Sequence, residues 1–393
     1  MTSEADARAA VLEKIIPRPG SSRPLADALG RFATSDIVAE RPLPAFDNSA
    51  MDGYAVQSAT CQAGARLQVI AEQPAGTNRG LTIGAGQAVR IFTGAPLPHG
   101  ADAVIMQEDV TRDGDTITAQ CAAEPGEFIR RQASDLAIGQ KILGRGDPIR
   151  AATLGLLASQ GLAEVDVGPA PRVAIVATGD ELARLGETPR PGQIFESNSV
   201  MLHALSQAAG GRVDLLAHAP DDLDTLTKIL REGATCDVMI ISGGVSVGDR
   251  DLVKPALRML GAEIDLWRVA LKPGKPFLFG TTANCYVFGL PGNPVSAFVT
   301  FLKFVRPALR QLMGASPRHL ELRGALARLG SDVSNDGDRP HYLRGELRDG
   351  IWRNVGRQES HALFGLSQAN ALLRLGPGET FHEGSLVNVE LWD

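Results

Sequence analysis

Asp237-Val-Met-Ile-Ile-Ser242 runs directly into Gly243-Gly-Val-Ser-Val-Gly-Asp249. An apolar run of strand length without polar alternation belongs to a strand buried on both faces. Its glycine-rich exit is the kind of strand-to-helix turn whose backbone N–H groups seat a phosphate-like group, which makes Gly243, Gly244, Ser246 and Gly248 candidate contacts. The pattern recurs upstream, where Arg172-Val-Ala-Ile-Val-Ala177 leads into Thr178-Gly-Asp-Glu-Leu182 and presents Asp180 and Glu181. Helical spacing over 197–209 and 223–232 brackets a strand-like segment at 212–217. Alternating strands and helices predict a doubly wound parallel sheet, with ligands beyond the carboxyl ends of its strands.

Downstream, Ala270-Leu-Lys-Pro-Gly-Lys-Pro-Phe-Leu-Phe-Gly280 is followed by Gly289-Leu-Pro-Gly-Asn-Pro-Val-Ser-Ala297. Lys272 and Lys275 flank a Pro-Gly turn. Asn293 suits a helix N-cap and Pro294 the first helical position, so Ser296 falls in a first turn that favours an oxyanion. Pro291 closes the preceding strand. A capped helix after a hairpin with solvated lysines is the structural alternative.

The rest of the chain reads as further domains. Residues 4–16 have helical spacing, 23–40 form a short helical or mixed element, and Arg41-Pro-Leu-Pro44 is an extended linker. Asp47 and Asp52 lie in a polar segment before Gly53, where Asx-turn chemistry accounts for Asp47. From 67 to 142, short alternating strands broken by Gly and Pro predict a mostly β domain. Within it, Arg130 and Arg131 lie near Asp135, as a surface salt bridge would require. Residues 148–160 are helical, and from about 317 short strands return as a small C-terminal β domain. The expected division is 1–44 plus 139–168, an elongated linker domain; 45–138, an inserted β domain; 169–315, the α/β domain; and 316–393, a barrel-like domain.

At 393 residues with a formal charge of −6, the chain is multidomain and carries no broad basic field for nucleic acid. Cys61, Cys121, Cys236 and Cys285 are widely spaced and are expected to be reduced, buried thiols. No apolar run approaches bilayer length and the start lacks a signal-type segment, so a soluble cytoplasmic protein without a membrane partner is expected. Gly244-Val-Ser-Val-Gly248 also matches G-x-S-x-G, which would make Ser246 a hydrolase nucleophile. His341, His361 and His382 follow it, but in a segment that reads as separate from the α/β region.

Asp47-Asn-Ser-Ala-Met-Asp-Gly-Tyr-Ala55, Phe92-Thr-Gly-Ala-Pro-Leu-Pro98, Thr178-Gly-Asp-Glu-Leu182, Ser242-Gly-Gly-Val-Ser-Val-Gly-Asp249, Lys272-Pro-Gly-Lys-Pro276 and Leu290-Pro-Gly-Asn-Pro-Val-Ser-Ala297 occur in this order. Together they resemble the molybdopterin molybdenumtransferases, the bacterial molybdenum insertases that include the gephyrin E domain. The resemblance implies an elongated four-part subunit whose third part is a molybdopterin-binding domain. It also implies a homodimer whose site forms between one subunit's second domain and the other's third and fourth. The implied activity is insertion of molybdate into adenylylated molybdopterin with release of AMP, supported by Mg²⁺.

Matching positions imply functional carboxylates at Asp52, Asp135, Glu181, Asp221 and Asp251, of which Glu181, Asp221 and Asp251 are candidate metal ligands. They likewise imply roles for Thr93, for the basic Arg268, and for Arg344 and Ser360 from the C-terminal domain. Molybdate is a tetrahedral dianion, and Lys272, Lys275 and Ser296 offer it cations and a hydroxyl. Contacts with the molybdopterin adenylyltransferase and with apo-molybdoenzymes would follow. Two positions depart from the usual pattern: Arg131-Gln-Ala-Ser-Asp135 lacks the glycine usual near the acid, and Glu359 replaces a small residue, where it is expected to point away or pair with Arg357. These departures frame an alternative, a catalytically reduced paralogue that carries the cofactor or acts as a scaffold.

Overall fold

The computed structural model describes residues 1–245 and 252–392. The chain forms two compact units, one of Met1–Ser35, Gly144–Ala158 and Leu162–Asp393, the other of Asp36–Leu143 with Ser159–Gly161.

The first unit is organised by a six-stranded sheet in the order Arg212–Ala219, Arg172–Thr178, Val238–Ser242, Tyr286–Leu290, Leu278–Thr281, Glu263–Trp267. The first four strands are parallel, as the apolar runs predict, whereas the last two are antiparallel, so the sheet is mixed at one edge. Side chains alternate across its central strands, with register shifts at the outer strands Arg212–Ala219 and Glu263–Trp267. Val173, Ile175, Val238 and Ile240 pack with Leu202 of the helix Asn198–Ala208 and with the helical run that begins at Pro294. Ala174, Val176, Met239 and Ile241 pack on the opposite face with Leu226 and Leu230 of Leu223–Gly233 and with Leu257 of Val253–Met259. The period of two in the strands thus meets the 3.6-residue period of the helices on each face.

Helix Leu223–Gly233 starts at Asp222, whose carboxylate accepts the Thr225 N–H at 2.8 Å. The run from Pro294 continues through a π turn at Phe301–Val305 into Arg306–Leu312. Arg323–Leu329, Ile351–Asn354, His341–Arg348, Ala371–Leu375 and Leu386–Leu391 close into a barrel around Trp352, Leu343 and Leu373. Tyr342 and Leu372 point the other way, into the core shared with the α/β sheet.

In the second unit a six-stranded sheet runs Ala103–Met106, Gly53–Val56, Gln87–Ile91, Arg66–Gln73, Thr116–Ala119, Val110–Asp113. The segment around Asp47 is more than a local turn. Asp47 accepts the Gln132 N–H and an Arg131 N–H, both at 2.7 Å, so Arg131 pairs with Asp47 and not with Asp135. The Gln132 N–H, foremost, holds the Asp47 carboxyl below its usual range. The Gly94 N–H reaches the Ser49 carbonyl at 2.8 Å and the Leu97 N–H that of Asp47 at 3.0 Å, which locks the Gly- and Pro-rich loop onto the same segment. Cys61, Cys236 and Cys285 are buried thiols as expected, but Cys121 is exposed.

Ala133 sits in the left-handed region at φ 61° in the loop before Asp135. A side chain there costs about 1–2 kcal/mol, partly offset by the extra freedom glycine has when unfolded, about 0.4–1 kcal/mol. Ala133→Gly is therefore expected to leave stability unchanged or raise it by up to about 1 kcal/mol, whereas alanine-to-glycine changes ordinarily destabilise. Chemical denaturation of the two proteins reads the difference.

Candidate active site

Register puts three loops at one edge of the central sheet. Ala177 lies beside Ser242, and Ser242 beside Leu290, so the chain leaves all three strands at the same level. The exits are Thr178–Glu181, Gly243–Gly244 and Pro291–Asn293, and they surround a cavity of about 640 Å³. Gly243 and Gly244 take φ 91° and 61°. A Cβ on Gly243 would lie 2.8 Å from the Thr178 carbonyl oxygen, and one on Gly244 would lie 2.7 Å from a Val253 methyl. Only glycine passes here, and the backbone is left open to a ligand.

Asn198 fixes the rim. Its Nδ2 donates to the Ser242 hydroxyl at 2.9 Å and to the Gly292 carbonyl at 2.7 Å, tying two of the loops together. Its Oδ1 is buried without a partner among the described residues. The sequence reading passed Asn198 over, because an asparagine beginning a helix looks like an ordinary cap.

Glu181, Gly243, Gly244, Pro291, Asn293 and Ser296 all line this cavity, as their motifs predict. Ser296 is buried, and its hydroxyl makes no hydrogen bond among the described residues. Asn293 occupies the N-cap position but makes no side-chain cap. Its Nδ2 donates instead to the Ser360 hydroxyl at 2.9 Å, while the Val295 N–H donates to the Ser360 carbonyl at 3.1 Å. The helix start is thus capped by the barrel-side loop, and Ser360 is brought to the cavity. His361 lines it too. The C-terminal β segment forms its own barrel, as expected, yet it brings Ser360 and His361 to the α/β cavity, which sequence spacing does not reveal.

Arg344 is fully buried at 0% exposure. Along His341–Arg348 it shares the face of Tyr342 and pairs with Leu372, both packed toward the α/β core and away from the barrel interior. Its N–H takes the Gln358 Oε1 at 2.9 Å and one guanidinium nitrogen donates to the Arg357 carbonyl. Nε and Nη1 have no partner among the described residues. Burial pulls the guanidinium pKa down, and the nearest compensation is the charge of Glu359. Glu359 is exposed, lies near enough for its charge to reach Arg344, and forms an ion pair with neither Arg344 nor Arg357 among the described residues.

Lys272 is joined to the same strand, its N–H on the Pro340 carbonyl and its carbonyl accepting the Tyr342 N–H, both at 2.8 Å. His341 opens the same strand and forms an isolated bridge with Lys272; it is 7% exposed with an Nε2 unpartnered among the described residues. Burial first, then Lys272, Arg344 and Arg339, depress its pKa to about 4. His341 had been considered only as a hydrolase histidine; its place beside Lys272 is set by a long-range bridge that sequence spacing does not reveal. Lys275 is exposed, its carbonyl accepting the Val269 N–H at 3.2 Å, and the adjoining Pro276 lines the cavity.

The remaining candidates lie elsewhere. The Asp221 N–H donates to Asp180 Oδ1 at 3.1 Å, which brings two exposed carboxylates together beside Glu181. No group of three or more metal-ligating side chains occurs among the described residues. Arg268 adopts φ 82° and makes no side-chain hydrogen bond among them. Asp52 and Thr93 belong to the second unit, where the Thr93 N–H and hydroxyl donate to Asp52 Oδ1 at 2.7 and 2.8 Å and hold its carboxyl below the usual range. Asp135, also of that unit, is exposed, and its N–H donates to the Leu43 carbonyl at 2.9 Å. Ser246, Gly248 and Asp251 lie outside the described residues.

The depressed pKa of His341 has a signed consequence. Between the unfolded value of 6.5 and the folded value of about 4, the unfolded chain binds the proton and the folded chain does not, so stability rises with pH across that window. The contribution, on the order of 3 kcal/mol at most, is complete above pH 6.5 and lost as pH falls through the window. His341→Gln should flatten the pH dependence of unfolding between pH 4 and 6.5, read by denaturant titration at several pH values.

Residues 2–161 match the profile described as the MoeA N-terminal region (domain I and II). Residues 174–311 match a probable molybdopterin binding domain, and 326–392 the MoeA C-terminal region (domain IV). The molybdopterin molybdenumtransferase of Nostoc sp. is 38% identical over 368 residues, covering 90% of this chain and 84% of its own. Molybdopterin molybdenumtransferase 2 of Mycobacterium tuberculosis is 39% identical over 383 residues, 94% of each chain. The crystal structure of the molybdopterin biosynthesis moeA protein from Pyrococcus horikoshii OT3 superposes with a TM-score of 0.84 at 30% identity, covering 100% of both chains. On these grounds the chain belongs to the molybdopterin molybdenumtransferase family.

Proposed function

We propose that this protein is a molybdenum insertase of cofactor biosynthesis, transferring molybdenum from molybdate to adenylylated molybdopterin with release of AMP. The observation that carries this reading is Arg344, a buried cation with two guanidinium nitrogens unpartnered among the described residues, on a strand that Lys272 joins through its backbone. Buried polar groups find partners, and a tetrahedral dianion supplies acceptors to both cations at once. In this reading Arg344 and Lys272 hold molybdate, while Lys275, Ser296 and Ser360 complete its surroundings. Gly243, Gly244 and the Pro291–Asn293 loop receive the pterin nucleotide along the 640 Å³ cavity. Ser246, Gly248, Asp251 and Arg268 are assigned with them, and by resemblance Asp52, Thr93 and Asp135 would be contributed by the other subunit of the homodimer.

The metal would be Mg²⁺. Asp180, Glu181 and Asp221 are carboxylates at neighbouring loop positions, and Mg²⁺ is commonly held by one or two carboxylates together with substrate phosphates. Such an ion would neutralise phosphate charge at the bond that releases AMP. The proposal includes a homodimer, the four-part division of the chain given by the sequence, a cytoplasmic location, and contacts with the adenylyltransferase and the apo-enzymes. No helix among the described residues is long and apolar enough to cross a membrane.

A second reading, a cofactor carrier of reduced activity, is favoured by one observation: the charge of Glu359 reaches Arg344 and would oppose an arriving anion. AMP release from adenylylated molybdopterin with Mg²⁺, with and without molybdate, separates the two. Molybdate-dependent release with molybdenum recovered in the pterin is expected; tight pterin binding without release would establish the carrier.

Two variants probe the assignments. Lys275→Ala removes an exposed cation and should lower turnover roughly 100-fold or more with an unchanged melting temperature. Glu359→Gln should lower the molybdate concentration needed for half-maximal turnover by about 3- to 10-fold, as removal of a partly screened like charge worth roughly 1 kcal/mol implies. Unchanged turnover in the lysine variant, or an unchanged molybdate requirement in the glutamine variant, would remove those residues from the anion seat.

A further inference from the structure

A larger cleft, of about 1230 Å³, lies within the first unit at the opposite ends of the parallel strands. Arg172 and Arg212 open adjacent strands and pair in register there. The proposed active site begins at Thr178, a strand length away, or roughly 20 Å.

Seven arginines line this cleft, against Asp27 and Asp237. The acids around it are largely engaged. Asp214 accepts Arg172 Nε at 2.7 Å and Arg212 Nε at 2.8 Å, and these two guanidinium groups bring its carboxyl down to about 2. Asp237 accepts Arg18 at 2.5 Å and the Arg172 N–H at 2.8 Å. Arg310 donates to the His319 carbonyl at 2.9 Å, and His319 itself contacts Asp147 at 3.3 Å.

Arg23, Arg31 and Arg150 are left with Asp27 as the remaining acid of the lining. Arg31 is the sharpest case. Its Nη1 is buried without a partner among the described residues, and its pKa is pulled down by burial and then by the like charges of Arg23 and Arg212, with Asp27 opposing. Three cations line one cleft whose remaining carboxylate is Asp27, in a chain whose formal charge is −6. Guanidinium groups match phosphate oxygens two at a time, and several of them on one cleft favour a ligand with more than one phosphate. The cleft is ample for a nucleotide-sized molecule, since ligand sites span about 300–1,000 Å³.

We propose that this cleft is a second ligand site, distinct from the pterin cavity, for a small anion carrying two or more phosphate groups, either inorganic pyrophosphate or a nucleoside polyphosphate. Arg23, Arg31 and Arg150 bind the phosphates; Arg172 and Arg212, held by Asp214, form the wall behind them.

Calorimetric titration of the full chain with pyrophosphate and with ADP, at about 0.15 M salt so that weak surface attraction is screened, tests this. Saturable binding of at least one of the two is expected. The variant Arg23→Gln, Arg150→Gln changes two exposed side chains and should weaken binding at least tenfold, whereas Lys275→Ala should leave it unchanged. Arg31→Lys, which keeps the charge and loses the fork, should also weaken it. Equal affinities identify the phosphates as the whole of the recognition, and a tenfold preference for ADP adds the nucleoside; both support the site. Absence of saturable binding, retention of full affinity in the double variant, or loss in Lys275→Ala overturns it, as does an oligonucleotide binding a hundredfold more tightly than ADP.

Discussion

The site depends on a cation placed where water cannot reach it. Arg344 is fully buried, and its Nε and Nη1 are unpartnered among the described residues. Removing an ion from water costs several kcal/mol, and a charge left unpaired inside a protein is among the more expensive arrangements a fold can keep. The surroundings constrain it nonetheless. Gln358 accepts the Arg344 N–H and donates to its carbonyl, and strand parity gives Arg344 no route to solvent through the barrel, whose interior Leu343 and Trp352 occupy. In the proposed reading such a residue exchanges stability for affinity toward an anion, and the exposed Lys272, joined to the same strand, adds a second cation. His341 remains neutral because it is buried and, secondarily, because its neighbours are cations, so it adds hydrogen-bonding capacity without adding charge.

The second constraint is register. The level pairing of Ala177, Ser242 and Leu290 delivers three loops to one rim, and the level pairing of Arg172 with Arg212 delivers guanidinium groups to the opposite end. One sheet therefore supports two anion-seeking surfaces by different physics. At the carboxyl ends, glycines expose backbone and a few buried donors converge. At the amino ends, side-chain charge accumulates beyond what the local carboxylates neutralise. The first arrangement gives orientation, the second gives attraction that salt attenuates.

Much of this was legible in the sequence, where a local pattern had only one physical meaning. The apolar runs at 172–177 and 237–242 could be little other than buried strands, and Gly243 and Gly244 had to turn where no Cβ fits. What escaped depended on contacts between distant segments. Asp47 resembles a turn former, yet it holds Gln132 and Arg131 some 85 positions away. Asn293 resembles an N-cap, but its amide is spent on Ser360. The antiparallel edge of the sheet could not be separated from a continued parallel one, because hairpin strands there are as apolar as crossover strands. His341 and His361 were assigned to a separate domain, since nothing in their own neighbourhoods records that the barrel and the α/β sheet share a core through Tyr342 and Leu372.

Glu359 shows how these constraints bear on catalysis. Its charge partly offsets the effect of burial on Arg344, and in the proposed reading the same charge would oppose an arriving anion. Tighter binding of the ground state alone accelerates nothing once substrate is saturating, because only interactions that strengthen in the transition state lower the barrier. A seat built from Arg344, Lys272 and Lys275 without an opposing acid would hold a free dianion strongly and release it reluctantly. In the proposed reading, a carboxylate whose charge reaches Arg344 would shift the balance: it would weaken the hold on free molybdate, while an anion further anchored through the pterin would draw on the same cations with less competition from solution. The acid that looks like damage to an anion site is, on this argument, compatible with turnover, and its effect belongs to substrate affinity before it belongs to the chemical step.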